Sequence, residues 1–229
     1  MYGLQPRRLT IMIILSMVIY LLLMPFTQFP VNALFKIIPI LLLILLTCQT
    51  IAKSQTRTLL VLALFFSVLG DAVLTTGWYF ALPIGILLFI CVHCSYIRLF
   101  LLHSQYRRLR VIVFLPIAFF IALSFYYEEP SLHEMKILVM VYGAIISLMI
   151  FAALQVKEKQ GLIASGALLF LFSDFIFSLN QFVFPYSKAI NGLVISLYYS
   201  AQFLLVRGIR SLEGINPNFK TLTQPVTLT

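Results

Sequence analysis

The sequence predicts an all-α membrane protein of about eight transmembrane helices, built as two parallel four-helix repeats. Three observations predict it. The chain is 62% hydrophobic and 10% charged, with a mean hydropathy of +1.04. Apolar runs of about 20 residues, the length that crosses a bilayer core, recur from end to end. The phrase Phe66-Ser67-Val68-Leu69-Gly70-Asp71 of the first half returns as Phe170-Leu171-Phe172-Ser173-Asp174 in the second, each copy setting one aspartate in hydrocarbon.

The first run, residues 9–27 behind Arg7 and Arg8, is too long for the core of a signal peptide and is followed by no small-residue cleavage site, so it reads as a span. Spans 32–51, 57–75, 80–101, 110–127, 134–155, 161–180 and 188–208 follow. Pro25 and Pro30, Gly77 and Pro83, Pro130, and Pro185 mark the alternate junctions, whose shortness makes neighbouring helices antiparallel hairpins. Residues 1–212 form one transmembrane domain with no soluble domain left over. Residues 213–229, rich in Thr, Pro and Asn, lack apolar periodicity and read as a loosely ordered cytoplasmic tail.

The formal charge of +9 does not point to nucleic acid, because the basic residues are scattered through short loops instead of gathered in a patch. They fall on alternate loops: Arg7 and Arg8, Lys53 and Arg57, Arg107 with Arg108 and Arg110, Lys157 and Lys159, then Arg207, Arg210 and Lys220. Glu128, Glu129 and Glu134 lie on the opposite side. By the positive-inside rule this is a multi-pass protein with both termini cytoplasmic. Cys48, Cys91 and Cys94 all fall inside apolar runs and read as small buried residues without metal-ligand company.

Aligning Asp71 with Asp174 sets helix 3 on helix 7, helix 4 on helix 8, and Tyr96 on Tyr199. A parallel repeat is related by an axis along the membrane normal, so equivalent residues share a depth and meet near the axis. Helical rise places each aspartate roughly 20 Å from the cytoplasmic end of its helix, and Lys36 roughly 8 Å below the outer boundary. Asn191 joins that layer. Tyr142, His93, Tyr198, Tyr96 and Gln202 lie progressively deeper, and together these side chains sketch a polar cavity.

An intramembrane carboxylate far from a helix end is a functional-site candidate. Two held close cannot both ionise cheaply and tend to share a proton, which supplies an acid and a base together. Lys36, near a helix end, either snorkels to the interface or holds a phosphate or an aspartate. His93 and Gln202 either bond across helices or serve the site; no His/Glu cluster at ligand spacing accompanies them, so no metal site is expected.

These residues resemble the YhhN-like lysoplasmalogenases, eight-helix membrane proteins of bacteria and animal cells. The resemblance runs through Lys36-Ile37-Ile38-Pro39, Ser67-x-x-Gly70-Asp71-x-x-Leu74, Gly85 to Phe89 with His93 and Tyr96, Gly166-x-x-x-Phe170-x-x-Ser173-Asp174, and Tyr198-Tyr199-x-x-Gln202 with Gly208. The family's usual Lys-Pro stands here as Lys36-Ile37. The resemblance implies hydrolysis of the vinyl-ether bond of a lysoplasmalogen to a fatty aldehyde and a glycerophospho-headgroup, in a bacterial inner membrane. Asp71 and Asp174 would be catalytic and Lys36, His93, Tyr96, Asn191, Tyr198, Tyr199 and Gln202 would bind the lysophospholipid, without metal or organic cofactor.

Two rival readings have sequence criteria. A proton-coupled transporter also uses repeats and midplane carboxylates, but it calls for broken helices and access from both faces. The hydrolase instead expects the cytoplasmic side closed by residues such as Phe65, Phe66, Leu168 and Leu169. An intramembrane aspartyl protease uses Gly-x-Gly-Asp and Tyr-Asp signals. Val68-Leu69-Gly70-Asp71 lacks the first glycine, and Phe172-Ser173-Asp174 lacks the tyrosine.

Overall fold

The computed structural model describes residues 5–213. Eight helices, each long and apolar enough to cross a membrane, make up the described chain. They are α1 (Pro6–Leu23), α2 (Val31–Thr50), α3 (Gln55–Leu74), α4 (Ala81–Leu102), α5 (Arg108–Glu128), α6 (Lys136–Leu154), α7 (Gln160–Ser178) and α8 (Lys188–Glu213). The α8 helix runs five residues beyond the sequence expectation. The expected tail lies outside the described residues apart from Glu213, which closes α8.

Local chemistry sets the ends. Pro6 opens α1 at a position where a missing N–H costs nothing. Ser54 caps α3 by accepting the Arg57 N–H at 3.2 Å. Gly77 turns the chain between α3 and α4 at φ +66°, a conformation that glycine adopts freely. The α7 helix unwinds into a π turn, Leu179–Val183, and Asn180 closes the link to α8 by accepting the Ser187 N–H at 2.9 Å.

At the end carrying the basic loops, the α4–α5 and α6–α7 links are joined. Ser104 and Val156 form an antiparallel bridge, and Arg110 donates to the Val156 carbonyl at 2.9 Å.

The strongest helix pairs are α3 with α4 and α7 with α8, and small residues allow their approach. A Cβ on Gly85 would clash with Leu74 Cδ2. One on Gly166 would stand 2.8 Å from Leu205 Cγ and 3.1 Å from the Ala201 carbonyl. Tyr20, Tyr96, Tyr199, Phe100 and Phe170 fill the centre. Ile11, Leu15 and Leu22 of α1 and Ile112, Leu115 and Phe119 of α5 face outward, where lipid would meet them.

The α5 helix stands apart. It buries only Arg110 and Glu128, one near each end, and it packs chiefly on α6. The cysteines are free; Cys94 turns to the perimeter instead of the interior.

Candidate active site

The sequence places both aspartates late in apolar helices, and the bundle turns both inward. Asp71 is buried on α3, with the ammonium of Lys36 from α2 3.1 Å from Oδ1. The Tyr198 hydroxyl of α8 donates to Oδ2 at 2.8 Å. Its neighbour Tyr199 donates to the main-chain carbonyl of Lys36 at 2.7 Å, fixing the helix that carries the lysine.

Asp174 on α7 has a different pair of partners. The Tyr142 hydroxyl of α6 donates to Oδ2 at 2.5 Å, and His93 Nε2 of α4 lies 3.5 Å from the same oxygen. His93 Nε2 is also 2.8 Å from the Tyr142 hydroxyl, so three groups form one connected set. His93 Nδ1 is buried and has no hydrogen-bond partner among the described residues.

Each carboxylate therefore takes one partner from the helix before its own and one from the last helix of the other half: α2 and α8 for Asp71, α6 and α4 for Asp174. A row of rings joins the two sets, His93 edge-on to Phe170 at 4.9 Å and Phe170 edge-on to Tyr198 at 5.5 Å. These contacts hold the ring planes and hence the polar atoms they carry.

Lys36, Asp71, Asp174, Asn191 and Tyr198 line one cavity of about 1090 Å³, counted out through its mouth. At the end opposite the basic loops, Glu128, Ser178 and Phe182 line it. Leucine, isoleucine and phenylalanine supply most of the remaining wall, so the cavity is polar at the carboxylates and apolar along its sides.

Not every expected site residue reaches it. His93 lies one layer back, against Asp174, and Tyr199 bonds to the Lys36 carbonyl. Tyr96 donates to Gln202 Oε1 at 2.6 Å, and Gln202 Nε2 donates to the Ser67 hydroxyl at 2.9 Å, a buried chain off the cavity wall. With fully buried Leu60, Leu64, Phe100 and Leu205, that chain fills the interior on the basic-loop side. Phe65, expected there, faces outward at 48% exposure.

Tyr142, which the sequence reading set in the polar cavity but not among the expected substrate-binding residues, is the direct hydrogen-bond partner of Asp174. Glu128, read from sequence as a loop charge, is buried in the cavity wall. Among the described residues, no group of three or more His, Cys, Asp or Glu side chains is arranged to hold a metal ion.

The chain matches the YhhN family over residues 31–209. It is 31% identical over 222 residues to the mouse (Mus musculus) protein named lysoplasmalogenase TMEM86B, covering 95% of this chain and 91% of that one. It is 31% identical over 187 residues to the rat (Rattus norvegicus) protein of the same name, covering 81% and 76%. To the bovine (Bos taurus) lysoplasmalogenase TMEM86A it is 31% identical over 202 residues, covering 82% and 80%. No solved structure matches it.

Proposed function

The chain belongs to the YhhN family, and on that premise we propose that it hydrolyses the vinyl-ether bond of lysoplasmalogens by acid–base catalysis between Asp174 and Asp71. The observation that carries the reading is that two carboxylates with unlike partners, Asp71 buried and Asp174 partly exposed, line one amphipathic cavity. The names of the mammalian relatives supply the substrate class.

A vinyl ether is cleaved by protonating its β-carbon. The oxocarbenium ion that forms is attacked by water at the α-carbon, and the resulting hemiacetal collapses to a fatty aldehyde and the free glycerol hydroxyl. In this scheme Asp174, the more accessible carboxyl, gives the proton to the β-carbon. Asp71, whose negative charge Lys36 compensates, stabilises the cation and takes a proton from the attacking water. When the hemiacetal breaks, Asp71 returns that proton to the departing glycerol oxygen. The hemiacetal's hydroxyl gives its proton to Asp174 as the aldehyde carbonyl forms, so one water is consumed and both carboxyls end as they began.

Tyr142 and His93 hold Asp174 in place, as Tyr198 and Lys36 hold Asp71. In a membrane with the basic loops in the cytoplasm, the cavity mouth faces the outer leaflet and admits the lysolipid from there.

The test is product analysis with purified protein. An alkenyl lysolipid releases a fatty aldehyde detected by mass spectrometry, and its alkyl counterpart, which lacks the double bond, releases none. Failure to release aldehyde, with protons or solute moved across reconstituted vesicles instead, replaces the hydrolase with a carrier.

A further inference from the structure

Three carboxyl groups line the cavity, and the catalytic scheme uses two. The third, Glu128, closes α5 and is 4% exposed. Its side chain accepts a hydrogen bond from the Ser178 hydroxyl and makes no salt bridge among the described residues. The base nearest in sequence, Lys136, is paired with Glu129. The cavity's own ammonium, Lys36, is paired with Asp71. A buried carboxylate is stable only when a charge or a full set of hydrogen bonds compensates it, and one hydroxyl is not a full set.

The surroundings of Glu128 are aromatic. Phe125, three residues before Glu128, Phe175, three before Ser178, and Phe182, four after it, all line the same end of the cavity. On helical spacing these rings flank the Glu128–Ser178 pair. A cavity wall that carries a carboxylate together with aromatic rings suits an organic ammonium group, which is attracted by charge and by cation–π interaction.

We propose that Glu128 is a headgroup-recognition residue, binding the ammonium group of a zwitterionic lysolipid at the mouth while the chain enters toward the aspartates. This rests on the lysolipid-hydrolase reading and names the headgroup charge that the site selects. With Lys36 paired to Asp71, Glu128 has no ammonium partner in the cavity, which favours a head that carries an ammonium group over one that is only anionic.

The experiment compares alkenyl lysolipids with choline and phosphoglycerol heads, using Glu128→Gln, which keeps the shape and the acceptor for Ser178 but loses the charge. The choline-to-glycerol ratio of kcat/KM is expected to fall about tenfold or more, through KM. Binding of the non-cleavable alkyl choline lysolipid should weaken in parallel. Glu128→Asp, which keeps the charge, should recover part of the preference. An unchanged ratio, equal losses on both heads, or a change confined to kcat overturns the proposal.

If Glu128→Gln does not fold, Ser178→Ala together with the wild-type ratio decides: a wild-type protein without choline preference is enough to reject it. Should no alkenyl lipid be cleaved, the binding measurement still reads headgroup selection, separating failure of the hydrolase reading from failure of this one.

Discussion

Lys36 Nζ lies 3.1 Å from Asp71 Oδ1 with both side chains buried, so the cation that sequence position would allow to reach the membrane surface is tied to a carboxylate instead. A buried pair of this kind is costly to break from one side, because the remaining charge loses its compensation.

Lys36→Met should therefore lower kcat more than it raises KM, and it should destabilise the protein by about 3–5 kcal/mol. The double variant Lys36→Met/Asp71→Asn should regain much of that stability without regaining turnover. Melting temperature and single-turnover rate on the same preparations separate the two effects; a pure KM increase would move Lys36 from the chemistry to headgroup binding.

Asp71→Asn and Asp174→Asn should each reduce turnover at least ~10²-fold, the usual loss when a positioned acid or base is removed. Both proteins should still bind the uncleavable alkyl lysolipid. Near-normal aldehyde release by either variant would take that residue out of the mechanism.

Tyr142→Phe removes the hydroxyl that joins Asp174 to His93. A lost hydrogen bond to a charged group is worth about 1.5–3 kcal/mol, so kcat should fall roughly tenfold to a hundredfold. Tyr96→Phe, which disturbs only the buried Gln202–Ser67 chain, should lower the melting temperature and leave KM unaltered. Equal kinetic losses in the two variants would contradict the distinction between cavity and scaffold.

Gly166→Val forces α7 away from α8, since even a Cβ there meets Leu205 Cγ at 2.8 Å. Overpacking of this order costs about 1–3 kcal/mol and should shift Asp174 relative to the α8 residue Tyr198. Gly161→Ala, with nothing within 4 Å, serves as the comparison and should be neutral. Thermal unfolding in detergent reads both.

Much of this molecule is legible in one dimension. A bilayer spanned by helices demands long apolar runs, and those runs placed all eight helices to within a few residues of where they lie, with α8 the longest departure. The same hydrocarbon makes an aspartate conspicuous, which is why Asp71 and Asp174 stand out without any knowledge of their neighbours. Proline and glycine mark the hairpins for an equally local reason.

What the sequence could not assign was partnership. Lys36 could have reached a phosphate, the interface or an aspartate. His93, Tyr96 and Gln202 all looked like one polar column, yet His93 supports Asp174 while Tyr96 and Gln202 bond to each other and to Ser67. Glu128 looked like a solvated loop charge. Helix periodicity says which residues share a face, but not which face of another helix they meet, nor whether a terminal residue turns in or out. Those choices depend on the rotation and spacing of each pair of helices, set by close approaches such as Gly85 on Leu74 and Gly166 on Leu205, contacts between residues far apart in the chain. Composition and hydrocarbon thickness thus determined the spans and the candidate carboxylates; packing between distant helices decided which side chain holds which.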